Sequence, residues 1–244
     1  MRQKIAYKPM SFTSKYFFYL VFTLLAYTGI AQDTISKIQG DSLYRDDQFY
    51  VGITYNLLSS LPNGVHPEGL SGGFYFGFLR DMPINKKRNL AIAIGAGMTF
   101  DQYSHNLFID KDSNGNTTFT ILEGNIDFES NRFKTGIVEI PFELRWRSST
   151  PTTYKFWRAY AGLKVGYVFW HKASFKNSTG TISHSDISEF DKLSFGTTLS
   201  LGYNKFNFFL YYSINPFFKD EAITNDGQKV NFKTIKLGLI FYIL

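Results

Sequence analysis

The stretch Thr234–Leu244, with the sequence T-I-K-L-G-L-I-F-Y-I-L, decides how the rest of the chain can fold. Every second residue of it is apolar: Ile235, Leu237, Leu239, Phe241 and Ile243. Successive side chains of a β-strand point to opposite sides, so this pattern predicts a strand with one continuous apolar face. Its length is close to the ~9–11 residues with which a tilted strand crosses a bilayer. We therefore expect a membrane strand that closes a barrel by pairing along both of its edges.

The composition of the chain agrees with a barrel and restricts its chemistry. The 244 residues are enough for one large all-β domain, and 18% of them are aromatic, as in barrels with aromatic girdles. The mean hydropathy is −0.15, and no apolar run reaches the ~18 residues of a spanning helix. The chain has no cysteine, which excludes disulfides and thiol chemistry.

The net charge of +6 gives little support to a nucleic-acid partner. Residues 1–31 hold four basic residues and no acidic one, so the remaining 22 basic and 20 acidic residues leave a net charge of only +2. Proteins that bind nucleic acid carry a stronger and more clustered positive charge. We therefore expect no nucleic-acid binding.

Residues 1–31 have the features of a secretory signal peptide. A basic stretch ends at Lys15, a mostly apolar stretch follows, and Gly29 and Ala31 provide the small residues of a cleavage site. We expect cleavage before Gln32, with an uncleaved anchor as the alternative. Residues 32–47 are then a short periplasmic lead, and residues 48–244 form the barrel.

Eight two-faced segments follow the lead, and the connections between them alternate in length. The segments are 48–57, 70–80, 89–103, 134–147, 156–170, 193–204, 206–215 and 233–244. The connections 58–69, 104–133, 171–192 and 216–232 are long, whereas 81–88, 148–155 and Lys205 are short. Short periplasmic turns and long outer loops are typical of outer-membrane barrels. The sequence therefore predicts an all-β fold, an eight-stranded antiparallel transmembrane β-barrel that crosses the bacterial outer membrane several times. Pro141 lacks the N–H of a ladder hydrogen bond, so we expect a bulge or kink there.

The size of the side chains predicts which face of each segment points outward. A soluble, lipocalin-like barrel has the same alternation with its apolar face inside, and it is the alternative. The polar faces carry glycines: Gly52, Gly73, Gly77, Gly95, Gly97, Gly162, Gly166, Gly196, Gly202 and Gly238. An eight-stranded interior is only just wide enough for its own side chains, so this face fits inside. The bulky Phe, Leu, Ile and Trp residues should then face lipid.

The same alternation places a set of ionisable residues inside the barrel. They are Glu139, Glu143, Arg145, Arg147, Arg158, Lys164 and Lys236. If the fourth and fifth segments turn near Pro151-Thr152, Glu139 lies opposite Lys164 and Glu143 lies diagonal to Arg158. Isolated charges would be costly there, so we predict a structural network of ion pairs. A solute path through the barrel is the alternative, which so narrow a barrel disfavours.

No motif in the chain predicts a catalytic residue, a cofactor or a metal ion. Residues 110–115 (D-K-D-S-N-G) match the first half of a calcium loop, but its twelfth position is Ile121 and not a bidentate Glu. Asp and Asn before Gly also simply form a turn, here at the tip of an outer hairpin. Ser104-His105 and Ser183–Ser185 place Ser beside His as in some lipid-modifying barrels, a weak signal for an enzyme.

Several stretches resemble one known family over nearly all of the chain after the signal. They are Asp47–Leu57, Gly72–Asn89 (G-G-F-Y-F-G-F-L-R-D-M-P-I-N-K-K-R-N), Val138–Pro151 (V-E-I-P-F-E-L-R-W-R-S-S-T-P), Tyr154–Arg158, Gly202–Asn204, Asn215–Asp220 and the terminal strand. The chain resembles the PorT (SprT) family of outer-membrane barrels of Bacteroidetes. The resemblance implies a component or assembly factor of the type IX protein secretion system, which also supports gliding motility in some members. It implies no catalytic residues, and other secretion components as partners besides outer-membrane lipid.

Two segments that we expect to be exposed are predicted as partner surfaces. The first is the basic inner turn with Lys86, Lys87 and Arg88, and the second is the outer loop with Phe217 and Phe218. Lipid-headgroup contact and packing within the loop are the alternatives. The rival function is a structural or adhesion barrel whose long loops bind external ligands.

Overall fold

The computed structural model describes residues 47–124, 128–148, 155–204 and 206–243. Its strands are β1 (Gln48–Ser59), β2 (Gly72–Pro83), β3 (Leu90–Ser104), β4 (Leu107–Lys111), β5 (Thr117–Ile121), β6 (Ser130–Arg147), β7 (Trp157–Asn177), β8 (Gly180–His184), β9 (Leu193–Tyr203), β10 (Phe206–Ser213) and β11 (Lys233–Ile243). Within these ranges, no helix is long and apolar enough to cross a membrane. The predicted signal peptide, nearly all of the lead, Pro151-Thr152, Lys205 and Leu244 lie outside the described residues.

Eight of the strands form a closed antiparallel barrel. β1, β2, β3, β6, β7, β9, β10 and β11 pair in that order, each with the next. The last strand then pairs with the first, from Phe49 opposite Ile243 to Ser59 opposite Lys233. The predicted fold class is therefore confirmed, and the terminal strand has a neighbour along each edge, as its two-faced pattern requires.

Two barrel strands extend well beyond the segments predicted for them. β6 has 18 residues and β7 has 21, whereas ~9–11 residues are enough to cross a bilayer. The predicted segments ended where the apolar alternation stops, but the β6–β7 pairing continues to Ser130 opposite Lys176. The hairpin therefore projects past the outer ends of the other strands, where its outward side chains are polar.

The two faces of the barrel point as their side-chain sizes predict. Phe49, Trp157 and Phe208 are 61%, 60% and 74% exposed on the outside of the wall. Inside, tyrosines lie over glycines of other strands: a Cβ added to Gly97 of β3 would lie 2.1 Å from Oη of Tyr50 in β1. The interior is thus full because glycine leaves room for each ring.

The β-bulge of the barrel wall lies elsewhere than expected. Pro141 keeps its register on both sides, opposite Lys164 in β7, and the β3–β6 pairing has the same register before and after it. The expectation of a bulge at Pro141 is therefore wrong, while the expected kink stays a prediction; the β3–β6 ladder lacks the pairs at Ile140 and Pro141. The register shift occurs in the β6–β7 ladder, between Gly136 and Ile137, and leaves Phe169 as the extra residue of β7. A missing N–H removes one hydrogen bond without adding a residue, so it need not shift a ladder.

The described parts of the long connections pack into a single apolar cluster at one end of the barrel, which we call the loop cap. Its buried residues are Val65, Tyr103, Leu107, Ile109, Phe119, Phe133, Ile137, Val168, Ala173, Ile187, Phe190, Phe217, Phe218, Ala222, Val230 and Phe232. Bridges join Phe119 to Thr224 and Phe190 to Phe218, which links three of the connections to one another. The barrel therefore carries a second core outside its membrane segment.

Candidate functional site: the charged interior and the loop cap

The half of the interior nearer the loop cap holds two ion pairs. Lys164 Nζ lies 2.7 Å from Glu139 Oε2, and Lys236 Nζ lies 2.5 Å from Asp101 Oδ2. Asn56 Nδ2 donates to the other oxygen of Asp101 at 2.9 Å. All of these side chains are buried, so each lysine is neutralised by one carboxylate within the barrel.

The other half of the interior is organised around two arginines. Arg145 Nη1 lies 3.3 Å from Asp81 Oδ1, and Arg147 Nη2 lies 2.9 Å from Asp81 Oδ2. Arg145 Nε also lies 3.0 Å from Glu143 Oε2. One carboxylate thus bridges two guanidinium groups, and the cluster joins β2 to β6 across β3.

The β6–β7 register differs by two residues from the one expected for a turn at Pro151-Thr152. Glu139 lies opposite Gly166, and Lys164 lies opposite Pro141, yet the Glu139–Lys164 pair forms diagonally. The expected Glu143–Arg158 approach is replaced by Glu143 with Arg145. Arg158 instead donates to the carbonyl oxygen of Asn204, with its guanidinium carbon 4.2 Å from the ring centre of Phe156.

Two acidic members of this network were missed at the sequence level. Asp81 is 0% exposed and Asp101 is 4% exposed, and both face the interior. The signal was present, because each continues the inward register of its strand: Asp101 follows Gly95 and Gly97, and Asp81 follows Gly77. Asp81 lies one residue beyond the second predicted segment, 70–80, and so falls outside the predicted interior.

Aromatic rings close the space around the ions. Lys164 Nζ lies 5.1 Å and 5.4 Å from the ring centres of Tyr75 and Phe209, and Lys236 Nζ lies 4.8 Å from that of Tyr211. Tyr75 and Tyr211 are 2% and 4% exposed. The interior is therefore filled by paired ions and packed rings, which gives no support to the alternative of a solute path.

The outer loop predicted as a partner surface is buried. Phe217 is 9% exposed and Phe218 is 1% exposed, and Phe218 meets the rings of Phe119 and Phe133 at centroid distances of 5.4 Å and 5.6 Å. Neither ring is available to a partner, so that assignment is corrected: the loop folds back into the loop cap. The reason is the presence of other aromatic loops nearby, which sequence position alone does not reveal.

The basic inner turn lies at the opposite end of the barrel, with Lys86 and Lys87 exposed. The turn is well defined, since Ile84 N–H donates to Leu90 O at 2.9 Å and Arg88 adopts a left-handed φ of 55°. Arg147 Nε donates to the carbonyl oxygen of Arg88 at 3.1 Å. The buried arginine cluster thus holds the exposed turn in place.

The calcium-like segment forms the turn of the β4–β5 hairpin. The side-chain amide of Asn116 donates to Asp112 Oδ2 at 3.1 Å, and the N–H groups of Asn116 and Asn114 donate to Oδ1 at 2.8 Å each. These bonds, the one from the Asn116 amide foremost, lower the pKa of the Asp112 carboxyl. Asp110 Oδ1 lies 2.8 Å from His184 Nε2. Asp112 is therefore engaged within its own turn and Asp110 with His184, as the turn interpretation predicts. Throughout the described ranges, no group of three His, Asp or Glu residues could hold a metal ion.

Ser104 and His105 do not form a nucleophile and base. Ser104 Oγ donates to Leu70 O at 3.0 Å, and His105 Nδ1 accepts from Leu107 N–H at 3.2 Å. His105 is 2% exposed within the loop cap, and this burial lowers its pKa to about 4. The buried His105 ring therefore stabilises the loop cap and is not placed to act as a base at an exposed site.

Comparison with known proteins gives the family. The family described as "Outer membrane protein beta-barrel domain" matches residues 31–219. The chain belongs to this family. A search of curated proteins finds no match. Two solved structures of Ail, the attachment invasion locus protein of Yersinia pestis, match 82% of this chain and 100% of their own. Ail alone has 15% identity and a TM-score of 0.34, and Ail with the heparin analogue sucrose octasulfate has 14% identity and a TM-score of 0.33. A Rhodopseudomonas blastica porin mutant has the same coverage at 6% identity and a TM-score of 0.19.

Membership of the outer-membrane barrel family fixes the setting of these features. The barrel lies in the bacterial outer membrane with its apolar outer wall in contact with lipid. Short connections of such barrels face the periplasm and long ones face the exterior. The inner turn at Lys86 and Lys87 is therefore periplasmic, and the loop cap lies on the outer surface.

Proposed function

We propose that this outer-membrane barrel is a component or assembly factor of the type IX protein secretion system of Bacteroidetes, and that it acts by docking and without enzymatic activity. The resemblance of Gly72–Asn89 and Val138–Pro151 to the PorT family supports the assignment to secretion. Docking is supported by one observation, the filled interior under the loop cap. Because paired ions and rings occupy the lumen of the described barrel, we expect no route for an exported protein through it, and its contribution should come from its surfaces.

The periplasmic surface proposed for docking is the inner turn with Lys86, Lys87 and Arg88. The two lysines are exposed, and the turn is fixed by the hydrogen bond from Arg147 to Arg88 O. An ordered basic turn loses little conformational freedom on binding, which favours contact with an acidic partner. Contact with lipid headgroups is the alternative role for the same charges.

A structural or adhesion barrel is the second candidate function. It is favoured by the packed loop cap, since a single buried cluster that includes Phe133, Phe218 and Phe232 holds the outer loops as a stable surface. An adhesin needs such a surface, because ordered loops bind external ligands at lower entropic cost.

Deletion of the gene in the native bacterium distinguishes the two candidates. A secretion component should be required for the export of all substrates of the system together, as measured by their amounts in the culture supernatant and on the cell surface. Re-expression of the wild-type chain should restore export. Normal export of every substrate, with loss of adhesion alone, would overturn the secretion proposal and favour the adhesion barrel.

A further inference from the structure

The outer wall of the β3–β6–β7 region changes from aromatic to basic within one step along the strands. Phe100, Gly136 and Trp170 are neighbours in one row, and the ring of Phe169 lies over Gly136. The next row outward consists of Gln102, Lys134 and Lys172. Two residues of a strand advance by about 6.6 Å. The basic row therefore lies directly above the last aromatic row, at the level where lipid headgroups begin.

The bulge at Phe169 creates this arrangement. Below it, Lys164, Gly166 and Val168 of β7 are buried, and above it His171 and Ala173 are buried instead. The extra residue reverses the alternation, so Phe169 and Trp170 are both exposed on the outside. It also turns Lys172 and Lys176 outward, beside Lys134 and Arg132 of β6. Without the bulge, Lys172 would point into the loop cap.

Three cations of this wall, Lys134, Lys172 and Arg132, are close to one another. Lys134 and Lys172 are directly opposite across the β6–β7 ladder, and such pairs have their Cβ atoms roughly 5 Å apart. Among the described residues, neither lysine nor Arg132 forms an ion pair, whereas Lys176 pairs with Glu129. Like charges at directly opposite positions are destabilising, so an anion between them would relieve the repulsion.

On the opposite wall, the described residues include no comparable cluster of outward cations. The outward residues near the outer ends of its strands are Leu57 in β1, Leu193 in β9 and Ile214 after β10. Lys233 of β11 is an outward cation there and lies opposite Ser59. The positive charge is thus concentrated on one side of the barrel, next to an open groove lined by Leu70, Phe74, Phe100, Gln102, Lys134 and Trp170.

We propose that this wall, with Lys134, Lys172 and Arg132 above Phe100 and Trp170, binds a phosphorylated lipid headgroup of the outer leaflet. The lysines and the arginine bind phosphate oxygens, and the aromatic row packs against the acyl chains of the same molecule. A phosphorylated lipid can contact both the basic row and the aromatic row, whereas a soluble anion contacts only the basic row. The presence of both rows therefore favours a lipid. The site is independent of any role in secretion.

The test is binding of diphosphoryl lipid A to the folded barrel in nonionic detergent micelles. A background with Trp146→Phe and Trp157→Phe leaves Trp170 as a reporter at the site, since the other two tryptophans lie near the inner ends of their strands. Fluorescence titration gives the apparent Kd, and native mass spectrometry gives the number of bound lipids. Lys134→Ser with Lys172→Ser should raise the Kd about tenfold or more. Lys134→Arg with Lys172→Arg should retain binding.

The matched control is Lys219→Ser with Lys229→Ser, which removes the same charge from the loop cap. It should leave the Kd within about twofold, since both lysines contact groups of the cap and not the wall. Equal Kd values for the two serine variants would overturn the proposal. So would equal binding of a phosphate-free lipid A, or a full Trp170 response to inorganic phosphate alone.

Discussion

Glu139 and Lys164 form an ion pair inside the barrel although neither lies opposite the other in the β6–β7 ladder. Glu139 faces Gly166 and Lys164 faces Pro141, and the two side chains meet diagonally with Nζ 2.7 Å from Oε2. Diagonal neighbours are about 7–8 Å apart at their backbones, a distance that long side chains can bridge. The pair is nearly inaccessible to water, so the state of one member determines the cost of burying the other.

Glu139→Gln should destabilise the barrel by roughly 3–5 kcal/mol, because it leaves the Lys164 ammonium buried without its carboxylate. Adding Lys164→Met should recover most of that loss. Equilibrium unfolding by urea in lipid vesicles measures both changes. The exposed pair Lys229–Asp220 is the control, and Asp220→Asn should cost no more than about 1 kcal/mol. A double variant as unstable as Glu139→Gln would contradict the pairing.

Gly97→Ala should destabilise the barrel by about 1–3 kcal/mol, because the new methyl group would lie 2.1 Å from Tyr50 Oη. Tyr50→Phe removes that oxygen and should partly rescue the variant in the same unfolding measurement. Gly115→Ala is an unsuitable control because its φ is 84°, whereas Gly124 has open space around its Cβ position. Gly124→Ala should therefore be close to neutral, and an equal loss there would argue against crowding as the cause.

Phe218→Ala should loosen the loop cap and leave the membrane barrel folded. The ring is 1% exposed and packs against four other aromatic rings of the cap, so its removal should cost about 3–5 kcal/mol of local stability. Limited proteolysis should then cleave the outer loops, while the strands remain protected. Ile223→Ala, at a residue that is 47% exposed, should have little effect. An unchanged digestion pattern for Phe218→Ala would show that the cap does not depend on this ring.

Acidification should weaken the loop cap through His105. Burial lowers the pKa of this ring to about 4, below the ordinary value of about 6.5, so the unfolded loop binds a proton more readily. Above about pH 6.5 the imidazole is neutral in both the folded and the unfolded cap, and the cap keeps its full stability. As the pH falls towards about 4, only the unfolded cap binds the proton, and the cap loses about 3 kcal/mol of stability in all. Amide hydrogen exchange in the cap should rise across this range. His105→Gln should remove that part of the pH dependence, and an identical profile for the variant would exclude His105 as its source.

Lys86→Ser with Lys87→Ser should reduce protein export while the barrel remains at its normal abundance in the outer membrane. The change removes the exposed charges of the proposed docking turn and keeps Arg88, whose carbonyl oxygen accepts from Arg147. Substrate amounts in the culture supernatant measure the effect. The control is Lys219→Ser with Lys229→Ser on the outer side, which should export normally. Equal export by both variants would remove the inner turn from the proposal.

Local sequence patterns predicted part of this fold. Alternation in stretches such as Thr234–Leu244 predicted the barrel strands and their number, since side chains on a strand must point to alternate sides. The contrast between glycine and bulky side chains predicted the direction of each face, because a narrow barrel has room for only one of them inside. Buried charges on β6, β7 and β11 followed from the same alternation.

Other features depend on contacts between residues far apart in the chain. The diagonal Glu139–Lys164 pair and the bridging role of Asp81 depend on a register that alternation does not specify, since a shift of two residues keeps every side chain on its face. Phe218 is buried because other loops pack over it, which no local pattern encodes. The bulge at Phe169, which turns Lys172 outward, likewise results from pairing with β6. The sequence by itself determined the two-faced strands, through the geometry of a single strand. Only the tertiary structure decided which charges meet and which loops are covered, because those outcomes are set by how strands and loops are placed against one another.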